Sequence, residues 1–257
     1  MTGPVRYEVH GNVAALTMDQ PDTRNALSAA MLTSLSDALG RCATDDAVRV
    51  VVLTGTGTTF CSGADLRGGP EGPAFASSGP DLLADVLRAL LDHPKVTVAR
   101  VQGHVAGGGN GLVAACDLAV ASADARFAFS EVRLGVAPAL VAVACLRVMD
   151  PRQAAALMLT GERFSAERAR AAALVTDVVE PDALDAAVAG WVRQLSYAAP
   201  GALTATKQLL RTVTGLDREA ALEWTAALSA QLFSGPEAAE GIQAFLERRA
   251  PSWAPPG

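Results

Sequence analysis

Two stretches of this chain, VRVVVLTG at 48–55 and VTVARVQG at 96–103, are β-branched runs without polar alternation. A strand with one face in water alternates apolar and polar residues, so these runs demand cover on both faces. The intervening sequence supplies that cover. Helical spacing extends from about Ser28, a residue suited to an N-cap, to Cys42, and again from about Asp81 to Leu91. Strand and helix in alternation predict an α/β architecture rather than a sandwich or a bundle. Ahead of them, VRYEVH and VAALTM, joined by Gly11-Asn12, read as a hairpin. After about Pro138 the signal is almost wholly helical, with one further strand expected in LVTDVV at 174–179. The expected organisation is a mixed core over 1–195 and a helical region over 196–257.

Composition removes several classes of function. At 257 residues and 50% hydrophobic, the chain can bury an ordinary core. A net charge of -6 with no basic run argues against nucleic acid as a partner. No apolar stretch is long enough to span a bilayer, and MTGPVRYEVHG lacks the pattern of a signal peptide, so a cytoplasmic protein is expected. Cys42, Cys61, Cys116 and Cys145 form no CxxC pair, and His10, His93 and His104 have no ligand spacing to them. Buried free thiols and no metal are expected. The Gly-, Pro- and Ser-rich segment at 67–80 reads as a long loop, a lid or plain surface.

Immediately after the second apolar run, read as one strand, comes VAGGGNGLVAACD at 105–117, where Gly107, Gly108, Gly109 and Gly111 crowd a turn before an apolar helix. Glycine there allows positive φ, or lets a ligand approach where a Cβ would clash. Phosphate motifs are excluded: a dinucleotide fingerprint read from Gly107 needs glycine where Leu112 stands, and no GK[ST] occurs. FCSGADL, after the first run, is a second turn of small residues. Two such turns at strand ends can aim two backbone N–H groups at one point, the geometry of an oxyanion hole. Ser62 as a nucleophile is disfavoured, because Phe60 occupies the glycine position of a nucleophile elbow.

NAL at 25–27, VVVLTGTGTTFCSGADL at 50–66, GHVAGGGNGLVAACDLAVAS at 103–122, FAFSEVRLGVAPA at 127–139 and FLERRAPSW at 245–253 together resemble the enoyl-CoA hydratase/isomerase, or crotonase, superfamily. The likeness extends over essentially the whole chain. It implies a spiral of ββα units with a helical C-terminal region that forms trimers, often paired into hexamers. It implies an acyl-CoA thioester as substrate, with CoA part of that substrate and no separate cofactor. The N–H groups of Ala64 and Gly108 would receive the thioester oxygen. Asn25, Ala26, Ser62, Asp65 and Leu66 would line the CoA arm, and Lys207 and Phe245 would touch CoA across a subunit boundary.

Familiar hydratases of this superfamily use two glutamates. At the first position this chain has Gly111; at the second it has Glu131, the expected catalytic acid-base. Phe127 and Phe129 offer an apolar setting that would raise its pKa, whereas Arg133, on the same face of an extended segment, would lower it. GGGNGLVAACD with SEVRLGVAPA is similar to a bacterial branch associated with glutaconyl-type enoyl-CoA hydration, which also carries glycine at that first position. Hydration is therefore expected, with double-bond isomerisation or noncatalytic acyl-CoA binding as alternatives. The Ala139, Leu140, Val141 sequence after Pro138 replaces a frequent glycine-rich continuation and would reshape the acyl pocket. Asp117 and His104 read as structural residues.

Overall fold

In chain order, β1 (Val5–His10) and β2 (Val13–Met18) form the expected hairpin around Gly11, whose φ is +60°. A 3-10 turn leads into α1 (Ala29–Thr44), capped by Ser28, whose hydroxyl accepts the Met31 N–H at 3.2 Å. Next come β3 (Val50–Gly55), β4 (Thr59–Cys61), a small ladder of β5 (Gly68–Gly69) with β6 (Gly72–Pro73), and α2 (Phe75–Leu91). The pattern repeats as β7 (Val96–Val101), β8 (His104–Ala106) and α3 (Gly108–Ala115), followed by β9 (Leu118–Ser122) and β10 (Arg126–Ala128). Then follow α4 (Ala139–Val148), α5 (Pro151–Thr160), β11 (Arg163–Ser165), α6 (Ala166–Ala171), β12 (Asp177–Val179) and α7 (Leu184–Ser196). Three helices, α8 (Pro200–Thr212), α9 (Arg218–Phe233) and α10 (Pro236–Glu247), end the chain. The computed structural model describes residues 3–69, 72–73 and 75–255.

One sheet runs β1-β2-β3-β7-β9-β12, parallel beyond the first hairpin; a second runs β11-β10-β8-β4. Each ββα unit thus places one long strand in the first sheet, one short strand in the second, and then a helix. The covered strands behave as their sequence requires. Val50, Val52, Val96, Val98 and Val120 face α7, against Leu184 and Val188, while Val51, Leu53, Ala99, Val101 and Ala121 face the main core.

Several expectations are corrected. The glycine turn does not follow 96–103 directly: that run ends as a strand at Val101, bends at Gly103 (φ +63°) and starts again as β8 in the other sheet. A side chain at Gly103 would collide with the Thr58 carbonyl, so the crossing demands glycine. Helix α2 begins at Phe75, within the stretch expected to be a loop, with Pro80 inside it; residues 70, 71 and 74 of that stretch lie outside the described residues. The strand expected at 174–179 contracts to Asp177–Val179.

Helix α8 is fastened to the core by Lys207. Its ammonium donates to Asp117 Oδ2 at 2.5 Å and to the Lys95 carbonyl at 2.7 Å, and burial lowers its pKa. Asp117 Oδ2 also accepts the Thr97 N–H at 2.7 Å and its hydroxyl at 3.0 Å, so Asp117 is a structural acceptor. The four cysteines are free and buried. By contrast, α9 buries no residue, and Leu222, Phe233, Ile242, Phe245 and Leu246 of α9 and α10 are exposed apolar side chains. Among the described residues, no helix is long and apolar enough to cross a membrane. Replacing Lys207 with Met leaves Asp117 without its cation, and a loss of about 3 kcal/mol is expected in a urea unfolding titration.

Candidate active site

Because β4 and β10 both pair parallel with β8, the C-terminal ends of all three meet at one edge of the second sheet. From that edge leave the turn at Ser62–Asp65, the glycine turn at Gly107, and the segment bearing Glu131. The two turns touch. A Cβ at Gly63 (φ +88°) would lie 2.9 Å from the Ala106 carbonyl oxygen and 3.5 Å from Gly107 Cα. Gly107 has φ +49° and caps α3, and a Cβ at Gly108 would lie 2.6 Å from Leu27 Cδ1, so a side chain there would have to displace Leu27. Positive φ favours glycine at Gly63 and Gly107, and the nearby Ala106 carbonyl adds closeness at Gly63.

The first turn is held by a bridge between Leu27 and Ala64: the Leu27 N–H donates to the Gly63 carbonyl at 2.8 Å, and the Asp65 N–H donates to the Leu27 carbonyl at 3.4 Å. This pattern leaves out the Ala64 N–H. Gly108 opens α3, so its N–H has no acceptor within the helix. Among the described residues neither group donates elsewhere. Both residues line a cavity of about 530 Å³ whose wall also includes Ser62, Leu66, Glu131 and Pro138.

Glu131 lies in a 3-10 turn, Ser130–Leu134, rather than an extended segment. The carboxylate lies against the glycine turn: a Cβ at Gly107 would be 3.4 Å from Glu131 Oε1. Its Oε2 is buried and has no hydrogen-bond partner among the described residues. Burial raises its pKa, and no cation counters it. The expected opposition from Arg133 is absent, because the 3-10 turn directs that guanidinium to the Thr160 carbonyl, at 3.1 Å. Phe127 and Phe129, which precede Glu131 in the chain, are fully buried and stack on Phe164 at 5.6 and 5.9 Å. Among the described residues, Glu131 is the only ionisable one lining the cavity.

The remaining expected site residues fall elsewhere. Asn25, at φ +53°, is wholly buried, and its side chain is consumed by the Gln20 N–H and the Thr56 and Thr59 carbonyls. Ala26 is buried beside it. Asp65 is a two-toothed acceptor for Arg67, at 2.8 and 2.7 Å, which holds its pKa down. Gly111 is buried within α3, facing Leu87 and Val141, and does not line the cavity. Lys207 is 5% exposed and occupied by Asp117, so it is not a free cation for CoA. Phe245 is 82% exposed on α10 and contributes nothing to this chain's own cavity.

One residue at the site carries no motif signal of its own. Asn110 is wholly buried, and its amide nitrogen donates to the Ala128 carbonyl at 2.8 Å and the Gly107 carbonyl at 3.3 Å. It therefore ties the glycine turn to the strand that leads to Glu131. Two N–H groups without acceptors, one partly buried carboxylate and an apolar wall make a site able to receive a polarised carbonyl and move a proton beside it.

Comparison with known proteins agrees. The family model for enoyl-CoA hydratase/isomerase matches residues 8–256. A putative enoyl-CoA hydratase of Thermus thermophilus is 36% identical over 94% of this chain and 97% of its own length. An (E)-benzylidenesuccinyl-CoA hydratase of Thauera aromatica is 34% identical, covering 97% of this chain and 98% of its own. The crystal structure of an enoyl-CoA hydratase from Mycobacterium smegmatis, 35% identical, superposes with a TM-score of 0.90 over 98% of this chain and 99% of its own. From β-strand spiral to glycine turns, the chain belongs to the enoyl-CoA hydratase/isomerase, or crotonase, family of enzymes.

Proposed function

We propose that this protein adds water to a 2-enoyl-CoA thioester, with Glu131 as the single acid-base. The observation that carries this is the buried, unpartnered Glu131 Oε2 beside the turn that presents the Gly108 N–H. The thioester oxygen is received by the Ala64 and Gly108 N–H groups, each worth about 3 kcal/mol as negative charge develops. Glu131, as carboxylate, takes a proton from water while the water oxygen bonds to the β-carbon. The alkene electrons move to the α-carbon and the thioester oxygen. The resulting carboxylic acid returns a proton to the α-carbon, which restores the carboxylate and leaves a 3-hydroxyacyl thioester. Relatives named as hydratases support this direction.

Isomerisation is the second reading, favoured by Glu131 standing as the single ionisable residue of the cavity wall among the described residues. One carboxylate suffices to carry a proton between the α- and γ-carbons. The two reactions separate by mass. Incubated with 2-enoyl-CoA thioesters, the protein is expected to give a product heavier by one water, with Glu131→Gln reducing the rate about 10²- to 10⁴-fold. An isobaric product from 3-enoyl-CoA alone marks an isomerase, and binding without either product marks a noncatalytic protein. Because burial raises the Glu131 pKa, the required carboxylate is lost at a higher pH than for an ordinary glutamate. The acidic limb of kcat/KM is expected above the usual carboxylate range.

Asn110 holds the donor turn and the carboxylate segment at a fixed separation. Asn110→Asp sets carboxylate lone pairs against two carbonyls at neutral pH and regains one donor when protonated. A fall in kcat of about ten- to hundredfold at neutral pH, with KM little changed, is expected relative to the parent enzyme. That deficit narrows as pH falls; a purely architectural role predicts less folded protein with an unaltered pH profile.

We infer further that α8, α9 and α10 cover a neighbouring subunit. Their exposed Leu210, Phe233, Phe245 and Leu246 make an apolar surface unsuited to water, and a Phe245 from a neighbour would complete a CoA site this chain leaves open. Light scattering is expected to give the mass of a trimer or hexamer; a monomeric mass would contradict this.

A further inference from the structure

A second cavity, of about 600 Å³, adjoins the first. Its wall includes Leu87, Arg88, Asp92, Leu140, Val143, Arg147 and Arg211, and Leu140 lines both cavities. The link follows two helices. On α2, Leu83 lines the thioester cavity, and Leu87, Arg88 and Leu91 line the second one; on α4, Leu140 gives way to Val143 and Arg147. Arg147 lies seven residues beyond Leu140, about 10 Å along the axis at 1.5 Å per residue. Side chains on a helix lean towards its N-terminus, and the N-terminal ends of α2 and α4 both lie at the thioester cavity. Gly111 sits at the partition, since a Cβ there would be 3.3 Å from Leu87 and 3.5 Å from Val141.

Charge makes this second cavity unusual in a chain of net charge -6. Three arginines and one acid line it. The arginines stand in the last turns of α2, α4 and α8, where they also complement helix carbonyl ends. Two are fixed by such local partners: Arg88 pairs with Asp85 at 2.6 Å, and Arg211 donates to the Leu91 carbonyl and reaches Asp92 at 3.5 Å. Each guanidinium carries five N–H donors, so these contacts leave several unspent. Arg147 has no hydrogen-bond or ion-pair partner among the described residues.

We propose that the second cavity anchors a carboxylate at the far end of the acyl chain, so that the substrate is an enoyl thioester bearing a terminal acid. This rests on the thioester assignment above. An apolar passage past Leu140 would hold the methylene chain, and Arg147, with Arg88 and Arg211 beside it, would receive the anion in the forked geometry guanidinium favours.

Binding of saturated thioesters tests this without relying on turnover. The full-length protein is titrated calorimetrically with a series of dicarboxylic acid mono-CoA thioesters of increasing length and with the matching methyl esters. At one length the free acid is expected to bind about tenfold more tightly than its ester, and Arg147→Ala is expected to abolish that preference while leaving ester affinity unchanged. Arg147→Lys, which keeps the charge, is expected to retain part of it. Equal binding of acid and ester at every length overturns the proposal. So does an Arg147→Ala loss that is the same for both and disappears with dephospho-CoA thioesters, because the anion would then be the 3′-phosphate of CoA. Hydration of the corresponding 2-enoyl thioesters by the same protein preparations reports separately on the proposed function.

Discussion

The rest of the site depends on the parallel pairing of β4 with β8 and of β8 with β10. These short parallel strands end close together, even though the β4–β8 register shifts between Thr59 and Cys61, and whatever follows them must share one edge. Here three different chain segments follow them: a small-residue turn, a glycine turn and a carboxylate-bearing 3-10 turn. Their approach is close enough that a Cβ at Gly63 would displace the Ala106 carbonyl and one at Gly107, strained by its positive φ, would touch Glu131. Removing that glycine freedom at either turn would separate the two backbone donors before it altered any side chain. The larger sheet, buried on both faces, acts as the rigid frame against which this edge is set.

Glu131 shows how the frame and the chemistry are coupled. A carboxylate with one oxygen buried and unpartnered is unfavourable in its charged form, which is why its pKa rises. Such a group is held in place by packing rather than by ion pairing. Phe127 and Phe129, just ahead of it in the chain, stack on Phe164, and Arg133, two residues on, donates to the Thr160 carbonyl instead. Asp65, four residues from Cys61 and closer to the site in sequence terms than many core residues, has the opposite character: paired with Arg67, it stays ionised. Two acids near one pocket are thereby given different roles by their surroundings.

Much of this was legible in the residues. The covered strands were readable because both faces are apolar, and Ser28 marked its helix through cap chemistry. The strands of the second sheet were not, since three residues such as His104–Ala106 are too few to show a period. Helix α2 was read six residues late because Gly79 and Pro80 look like loop residues, although the helix runs through them. Ala64, Gly108 and Glu131 could be named from family resemblance, but only the strand pairing places them at one cavity. At Asn25 and Lys207 a polar side chain looks available in sequence, while burial commits it to backbone carbonyls or to Asp117. Asn110 has no periodic signature among its glycines and became visible only through its two acceptors.

The central claim is that the Ala64 and Gly108 N–H groups receive the thioester oxygen. Infrared difference spectroscopy of a bound enoyl-CoA, carrying ¹³C at its thioester carbonyl, reports on that contact directly. Two donated hydrogen bonds should move the labelled C=O stretch to a lower frequency than for the thioester free in water, in the parent protein and in Glu131→Gln alike. A bound carbonyl whose frequency is unchanged or raised would mean that these two groups do not hold the oxygen, and would contradict the account.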